Sequence, residues 1–231
     1  MDITVLGAGY VGSQFIEKYP CRYSSRKAVE DERSFVFDLE DRTTWVNIPK
    51  SDSVLITFAI KDLALIEEFY EACLKSVKKV YVYASTSSYK VKFNGETVSE
   101  ENELNLDLAR VSCEEFLCNK GANLLTLSGI FGPNRMPEAW LKKGLIKNGN
   151  KNLNLIHLDD IVELTHRLML LDLKGERVNL SNAEEIYWHK LADTYGLDCP
   201  RLDLDRANKF ISNQKVLSLV GDYTFKKLLE S

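Results

Sequence analysis

Residues 3–16 read Ile-Thr-Val-Leu-Gly-Ala-Gly-Tyr-Val-Gly-Ser-Gln-Phe-Ile. An apolar, strand-like run leads directly into a G-x-G-x-x-G turn at Gly7, Gly9 and Gly12, and a helical pattern follows. The first glycine permits a tight turn, the second lets the backbone approach a pyrophosphate, and the third lets helix and strand pack closely. The helix N-terminus adds N–H donors and a positive dipole end. The stretch therefore predicts a βα unit that binds a dinucleotide.

Short apolar runs alternate with helical patterns through the first half of the chain. Strands are predicted at residues 3–6, 21–23, 34–37, 53–57, 80–84 and 123–127. Residues 63–76 and 103–118 have apolar side chains three and four positions apart, which is typical of helices. Strands and helices in alternation indicate a parallel sheet covered on both faces, and right-handed crossovers favour an open, doubly wound topology. The predicted fold class is α/β, with a Rossmann-type doubly wound parallel sheet.

The pattern changes after Gly132. Residues 132–144 contain two prolines and two glycines, and helical patterns follow at residues 159–171, 184–196 and near 225–229. We therefore expect a Rossmann domain over residues 1–132 and a small, mostly helical C-terminal substrate lobe over residues 133–231. The two are expected to pack as one unit, with the lobe at the carboxyl ends of the strands, where ligands of doubly wound sheets bind.

Composition excludes several classes of protein. The 30 Lys and Arg residues are interspersed with 34 Asp and Glu residues, and the net charge of −4 argues against a nucleic-acid binder. No apolar run approaches the roughly 20 residues of a membrane helix, and the first residues resemble a strand rather than a signal peptide. The five scattered cysteines form no C-x-x-C pair, which favours reduced thiols. We expect a cytoplasmic protein without membrane or nucleic-acid partners; a homodimer is compatible with the sequence.

The residues after the second strand bear on the choice between NADP and NAD. Ser24-Ser-Arg-Lys27 contains no carboxylate, and the hydroxyl of Ser24 and guanidinium of Arg26 suit a 2′-phosphate. An alternative alignment places Glu30 or Asp31 at the ribose, which would favour NAD. In a third interpretation Arg26 and Lys27 are ordinary solvated charges. We predict NADP, with NAD as the alternative.

Further motifs follow the glycine turn in a characteristic order. They are Asp38-Leu39, Ile-Thr-Phe-Ala at residues 56–59, Tyr-Ala-Ser-Thr-Ser-Ser-Tyr at 83–89, Ser-Gly-Ile-Phe-Gly-Pro at 128–133, Asn-Leu-Ile-His-Leu-Asp-Asp-Ile at 154–161 and Phe-Ile-Ser-Asn-Gln-Lys-Val at 210–216. With this set the chain resembles the extended and atypical short-chain dehydrogenase/reductases, the NAD(P)-dependent epimerase/dehydratase superfamily. We predict cofactor contacts from Gly7, Gly9, Tyr10, Val11, Gly12, Ser24, Arg26, Asp38, Leu39, Phe58, Ala59 and Ser85.

The same resemblance implies a catalytic arrangement that this chain lacks in part. In active members a Ser or Thr at the end of the fifth strand works with Y-x-x-x-K on the next helix, where the Tyr exchanges a proton with substrate. The resemblance places the serine at Ser85. Matching the family's glutamate to Glu114 puts Arg110 at the lysine position and Leu106 at the tyrosine position. The usual Tyr–Lys pair is therefore missing.

Two functions remain open at this point. The chain is an oxidoreductase or epimerase-like enzyme on an unknown small molecule, using Ser85 or Thr86, Tyr89 and Arg110; or it is a non-catalytic dinucleotide-binding redox sensor or regulatory subunit. The retained motifs favour the enzyme, and the missing pair favours the sensor. The His, Asp and Cys spacings match no zinc pattern, so we expect no metal.

Overall fold

The computed structural model describes residues 1–203 and 207–228, and its central feature is a seven-stranded sheet. The strands are β1 (Ile3–Leu6), β2 (Arg22–Ser25), β3 (Ser34–Val36), β4 (Ser53–Ile56), β5 (Lys79–Ser85), β6 (Asn123–Leu127) and β7 (Arg177–Leu180). Their spatial order is β7-β6-β5-β4-β1-β2-β3, and β1 to β5 pair in parallel. The order reverses between β1 and β4, the switch point at which ligands of such sheets bind. The predicted Rossmann-type sheet is confirmed.

The predicted strands all exist, with small differences at their ends. The second strand runs to Ser25 rather than Tyr23, because Ser24 and Ser25 pair with Phe35 and Val36 of β3. The seventh strand was not predicted. Its sequence, Arg-Val-Asn-Leu, mixes polar and apolar residues, yet all four positions are buried.

The α-helices of the described residues are α1 (Tyr10–Lys18), α2 (Leu63–Phe69), α3 (Ala109–Asn119), α4 (Pro137–Lys142), α5 (Leu158–Met169), α6 (Trp188–Thr194) and α7 (Gln214–Val220). In chain order, α1 to α5 lie between strands of this sheet, and α6 and α7 come after its last strand. The helix predicted over residues 63–76 is α2 continued by a π-helical turn, Tyr70–Leu74. The α3 helix begins at Ala109, later than predicted. Residues 225–228 form no helix, and Leu229, the end of the helix predicted there, lies outside the described residues.

The chain divides into two compact units whose segments interleave. The first comprises Met1–Ser88, Asn105–Thr126 and Val162–Val178; the second comprises Tyr89–Leu104, Leu127–Ile161 and Asn179–Ser231. The sequence predicted a single division after residue 132 instead. In the first unit, one apolar cluster fills the space between the sheet and helices α2 and α3; its members include Leu6, Ile56, Phe69, Val82 and Leu117.

The second unit has its own apolar core, which includes Phe131, Leu155, Leu191 and Leu228. Besides its helices, its described residues form three two-stranded sheets. They pair Leu155–His157 with Gly129–Phe131, Ile186–Tyr187 with Asn152–Leu153, and Lys209–Ile211 with Glu96–Val98. Across residues 1–203 and 207–228, none of the helices has the length and apolar character needed to span a bilayer.

Candidate functional site

Two glycines of the turn after β1 are required by the protein's own packing. Gly7 has φ +104°, and a Cβ there would lie 2.6 Å from Thr57 Oγ1. A Cβ on Gly12 would lie 2.1 Å from the carbonyl oxygen of Gly7. Thr57 Oγ1 donates a hydrogen bond to that same carbonyl at 2.8 Å, which ties the turn to the end of β4. Any side chain at Gly7 or Gly12 would therefore break the turn.

Gly9 is different, because nothing in the protein accounts for its missing side chain. Its φ is −76°, which any residue can adopt, and apart from Gly9 and its chain neighbours no heavy atom of the described residues lies within 4 Å of the position a Cβ would occupy. Gly9 lines a large cavity. The space beside it is thus open on the side from which a ligand would approach the backbone.

That cavity has a volume of about 990 Å³ and lies at the carboxyl ends of β1 to β4. This is the upper end of the range for small-molecule sites, roughly 300–1,000 Å³. It is lined by residues 7–9, 24–27, 37–40 and 57–62 and by Leu65. Eight of the predicted cofactor contacts line it: Gly7, Gly9, Ser24, Arg26, Asp38, Leu39, Phe58 and Ala59. Tyr10, Val11 and Gly12 lie in the first turn of α1, and Ser85 lies at the end of β5.

The polar residues at the end of β2 make different contacts. Ser24 is buried, and its hydroxyl accepts a hydrogen bond from the Gly7 N–H at 2.9 Å, so it holds the glycine turn. Ser25, Arg26 and Lys27 follow it along the cavity wall. The bond to Gly7 uses the Ser24 oxygen as acceptor, so a ligand phosphate at this edge would meet the Ser24 hydroxyl as well as the other three residues.

Asp31, which the alternative alignment places at the cofactor ribose, is paired with other residues of the protein. Its Oδ2 lies 2.8 Å from Arg33 Nη2, and the Tyr23 hydroxyl donates to the same oxygen at 3.2 Å. Hydrogen bonds from Arg33 hold the pKa of the Asp31 carboxyl at about 2. Neither Asp31 nor Glu30 lines the cavity.

The loop after β3 shapes another side of the cavity through Asp38 and Leu39. Thr44 donates its hydroxyl to the Asp38 carbonyl at 3.0 Å and accepts the Asp38 N–H at 2.9 Å. Trp45 Nε1 donates to the Leu39 carbonyl at 3.1 Å. Sequence reasoning missed Thr44, Trp45 and Thr57, because each acts through a contact that only the folded loop creates.

A second polar group, the Ser85 cluster, lies at the end of β5 and consists of Ser85, Ser87, Arg110 and Glu114. Ser85 Oγ and Ser87 Oγ are 3.2 Å apart, and Arg110 Nη2 donates to Ser87 Oγ at 3.1 Å. Arg110 Nε lies 3.1 Å from Glu114 Oε1. The structure thus brings the predicted Ser85 and Arg110 into one cluster through Ser87. Burial raises the pKa of Glu114 to about 7 against the opposing effect of Arg110.

The third predicted catalytic residue, Tyr89, belongs to the second unit. It is 4% exposed, and its hydroxyl donates to Asn179 Oδ1 at 2.6 Å. Leu106, at the position the resemblance assigns to the catalytic tyrosine, precedes α3 and is 58% exposed. Within the described part of the chain, no three His, Cys, Asp or Glu residues are grouped so that they could hold a metal.

Comparisons with known proteins address the fold. No protein-family model and no curated protein matches the chain. Among solved structures it is similar to MoeE5 in complex with UDP-glucuronic acid and NAD, at 16% identity and a TM-score of 0.78, covering 100% of this chain and 95% of that one. It is similar to UDP-glucuronic acid 4-epimerase from Bacillus cereus in complex with NAD, at 16% identity and a TM-score of 0.78, covering 100% and 94%.

A short-chain dehydrogenase/reductase superfamily protein from Agrobacterium tumefaciens with bound NAD is similar at 15% identity and a TM-score of 0.77, covering 100% of this chain and 94% of that one. At such identities the likeness concerns the fold, and it confirms the resemblance drawn from the motifs at that level. This chain has the fold that these epimerase and short-chain dehydrogenase/reductase structures share.

Proposed function

We propose that this chain is an atypical short-chain dehydrogenase/reductase that binds a nicotinamide dinucleotide in the cavity at the carboxyl ends of β1 to β4. The observation that carries the proposal is Gly9, whose missing side chain leaves open space on the cavity wall. A pyrophosphate placed there would meet backbone N–H groups and the N-terminus of α1. The similar structures described above contain NAD in their complexes, which supports the same class of ligand here.

We further propose that NADP(H) is preferred over NAD(H). Ser25, the last residue of β2, and the following Arg26 and Lys27 line the cavity, and no carboxylate stands among them. Arg26 can bind a 2′-phosphate bidentately. Asp31, the acid that would favour NAD, is already paired with Arg33 and lies outside the cavity lining.

The role favoured for the bound cofactor is non-catalytic, as in a redox sensor or regulatory subunit. Leucine has no proton to transfer at position 106, and the Tyr89 hydroxyl is buried against Asn179. An oxidoreductase or epimerase-like activity is the second candidate. It is supported by the Ser85 cluster, where Ser85 and Ser87 offer hydroxyls at the end of β5 beside the Arg110 guanidinium. A small-molecule substrate, a cytoplasmic location and a homodimer stay predictions.

Titration calorimetry with NADPH and NADH tests the binding proposal. We expect wild type to bind, and Gly9→Val to lose binding while it keeps its circular-dichroism spectrum, because a Cβ at this position enters open space. Ser13→Val, at an exposed position on α1 that does not line the cavity, is the matched control and should bind like wild type. Unchanged binding in folded Gly9→Val would refute this site.

A further inference from the structure

The connection between β2 and β3, residues 26–33, begins on the wall of the large cavity and then leaves it. Arg26 and Lys27, its first two residues, line the cavity. Both are exposed, and neither side chain is hydrogen-bonded or ion-paired to another described residue. Residues 28–33, all of them described, do not line the cavity. The connection therefore presents two unpaired cations to a ligand and keeps its acidic residues off the cavity wall.

The end of the same connection is held by a pair formed by Asp31 and Arg33. Arg33 donates to the Asp31 carboxylate from its backbone N–H at 2.8 Å, from Nε at 3.2 Å and from Nη2 at 2.8 Å. The Tyr23 hydroxyl donates to this carboxylate at 3.2 Å. Most of the hydrogen bonds that Asp31 accepts through its side chain thus come from one arginine.

Arg33 also joins this pair to α1 and β2. Its Nη1 donates to the carbonyl of Ile16, near the end of α1, at 3.3 Å. Its guanidinium lies over the Tyr23 ring, 5.7 Å from the centroid, and its backbone carbonyl accepts the Tyr23 N–H at 3.0 Å. One guanidinium therefore contacts Asp31, α1 and β2 at once, and these contacts fix where the Asp31 carboxylate lies.

We propose that Arg33 determines the choice of cofactor by keeping Asp31 away from the cofactor ribose. This inference rests on the proposed function. A carboxylate beside the ribose favours NAD, because it accepts hydrogen bonds from the hydroxyls and repels a 2′-phosphate. An aspartate is ionised at pH 7 with or without a partner. Without Arg33, the Asp31 side chain would keep only the 3.2 Å bond from Tyr23, and a free acid would follow Arg26 and Lys27 in the same connection.

Titration calorimetry of Arg33→Met with NADPH and with NADH tests this proposal. Methionine keeps an unbranched apolar side chain beside Tyr23 but cannot bind Asp31. We expect NADPH to bind roughly tenfold more weakly than to wild type, the order expected for one uncompensated charge, and NADH to bind at least as tightly. Arg33→Met/Asp31→Asn should regain affinity for NADPH, because it has no free acid there. Arg22→Met is the control, since Arg22 is a partly exposed arginine that pairs with Asp2 and does not line the cavity.

The outcomes separate this inference from the proposed function. An unchanged preference in Arg33→Met, or an equal loss of affinity for both cofactors, would overturn the role of Arg33 and leave the dinucleotide site intact. A double variant that binds NADPH as weakly as Arg33→Met would do the same, and so would a wild type that prefers NADH. If wild type binds neither cofactor, the proposed function falls, and the inference falls with it.

Folding of the variants is checked by circular dichroism. An exposed ion pair contributes little to stability, and the Arg33 side chain is 45% exposed, so we expect Arg33→Met to fold. Arg33→Gln removes the same charge with a shorter polar side chain and should show the same loss of preference for NADPH. It decides the test should Arg33→Met fold poorly.

Discussion

The hydroxyl of Ser24 accepts a hydrogen bond from the backbone N–H of Gly7 at 2.9 Å. On the opposite side of β1, Thr57 Oγ1 donates to the Gly7 carbonyl at 2.8 Å. The end of β2 and the residue directly after β4, the two strands that flank β1, therefore supply hydrogen-bond partners to both backbone polar groups of Gly7. These two hydrogen bonds hold the turn in the conformation in which Gly9 lines the cavity.

Ser24→Ala should weaken both the fold and the binding of a dinucleotide. The partly buried Gly7 N–H would lose its partner, and because an unsatisfied buried donor costs about 1–3 kcal/mol, we expect a loss at or below the lower end of that range. Chemical denaturation should show that loss in the free energy of unfolding, and calorimetry should show weaker NADPH binding. Ser25→Ala is the control for the unfolding measurement and not for binding, since Ser25 lines the cavity; its hydroxyl accepts a long, exposed contact of 3.4 Å from the Lys27 N–H. An unfolding curve for Ser24→Ala that matches that of wild type would show that the Ser24–Gly7 hydrogen bond does not stabilise the fold.

Arg26→Ala should lose affinity for NADPH and keep its affinity for NADH. A hydrogen-bonded pair with a charged group contributes about 1.5–3 kcal/mol, and only NADPH carries the 2′-phosphate. Calorimetry with both cofactors measures the two changes separately. Arg42→Ala removes an exposed arginine that pairs with Glu68 away from the cavity, so it should alter neither affinity. A wild type that prefers NADH would contradict the assignment of Arg26 to the phosphate.

Glu114 should make the protein less stable as the pH rises from about 4.5 to about 7. Its pKa is raised from 4.5 to about 7 by burial in the folded state, so the folded state holds a proton that the unfolded state releases in this range. At about 1.4 kcal/mol per pH unit, this loss amounts to about 3 kcal/mol and is complete above pH 7. Urea denaturation of wild type and Glu114→Gln at pH 5 and pH 8 measures it.

In that experiment Glu114→Gln should gain stability over wild type mainly at pH 8. Glu71→Gln should follow the pH dependence of wild type, because Lys75 lowers the pKa of Glu71 below this range. Stability curves for wild type and Glu114→Gln that stay parallel from pH 5 to pH 8 would show that Glu114 does not titrate there.

Turnover of sugar nucleotides, aldehydes or simple ketones should be slow or absent with either cofactor. General acid–base help is worth on the order of 10²–10⁴-fold. The resemblance drawn from the motifs places Leu106 and Arg110 at the positions of the catalytic Tyr and Lys. A screen that follows nicotinamide absorbance tests this expectation. Robust turnover that disappears in Ser85→Ala would favour the enzyme over the sensor. Tyr89→Phe serves as a comparison, because we expect it to lower stability through the lost bond to Asn179.

The sequence alone was enough to predict six strands of the sheet and the glycine turn. Both depend on local rules: strand runs and helical spacing are visible in the order of residues, and the three glycines serve backbone conformation and close approach. The sequence also indicated that Ser25, Arg26 and Lys27 lie close together at the end of the second strand, and the three line the cavity. Local patterns sufficed wherever neighbours in sequence remain neighbours in space.

Only the tertiary structure decided which distant groups meet. Arg177 can lie buried in β7 because its guanidinium bonds Glu115 at 2.5 Å and Thr126 at 3.2 Å, partners more than 50 positions away, and so that strand was not predicted. In the sequence analysis Glu114 served only to align the helix with the family's motif. Its burial beside Arg110 follows from how α3 packs on the sheet. Burial and the distance between charges depend on the folded chain, and these two quantities set the pKa of a carboxyl.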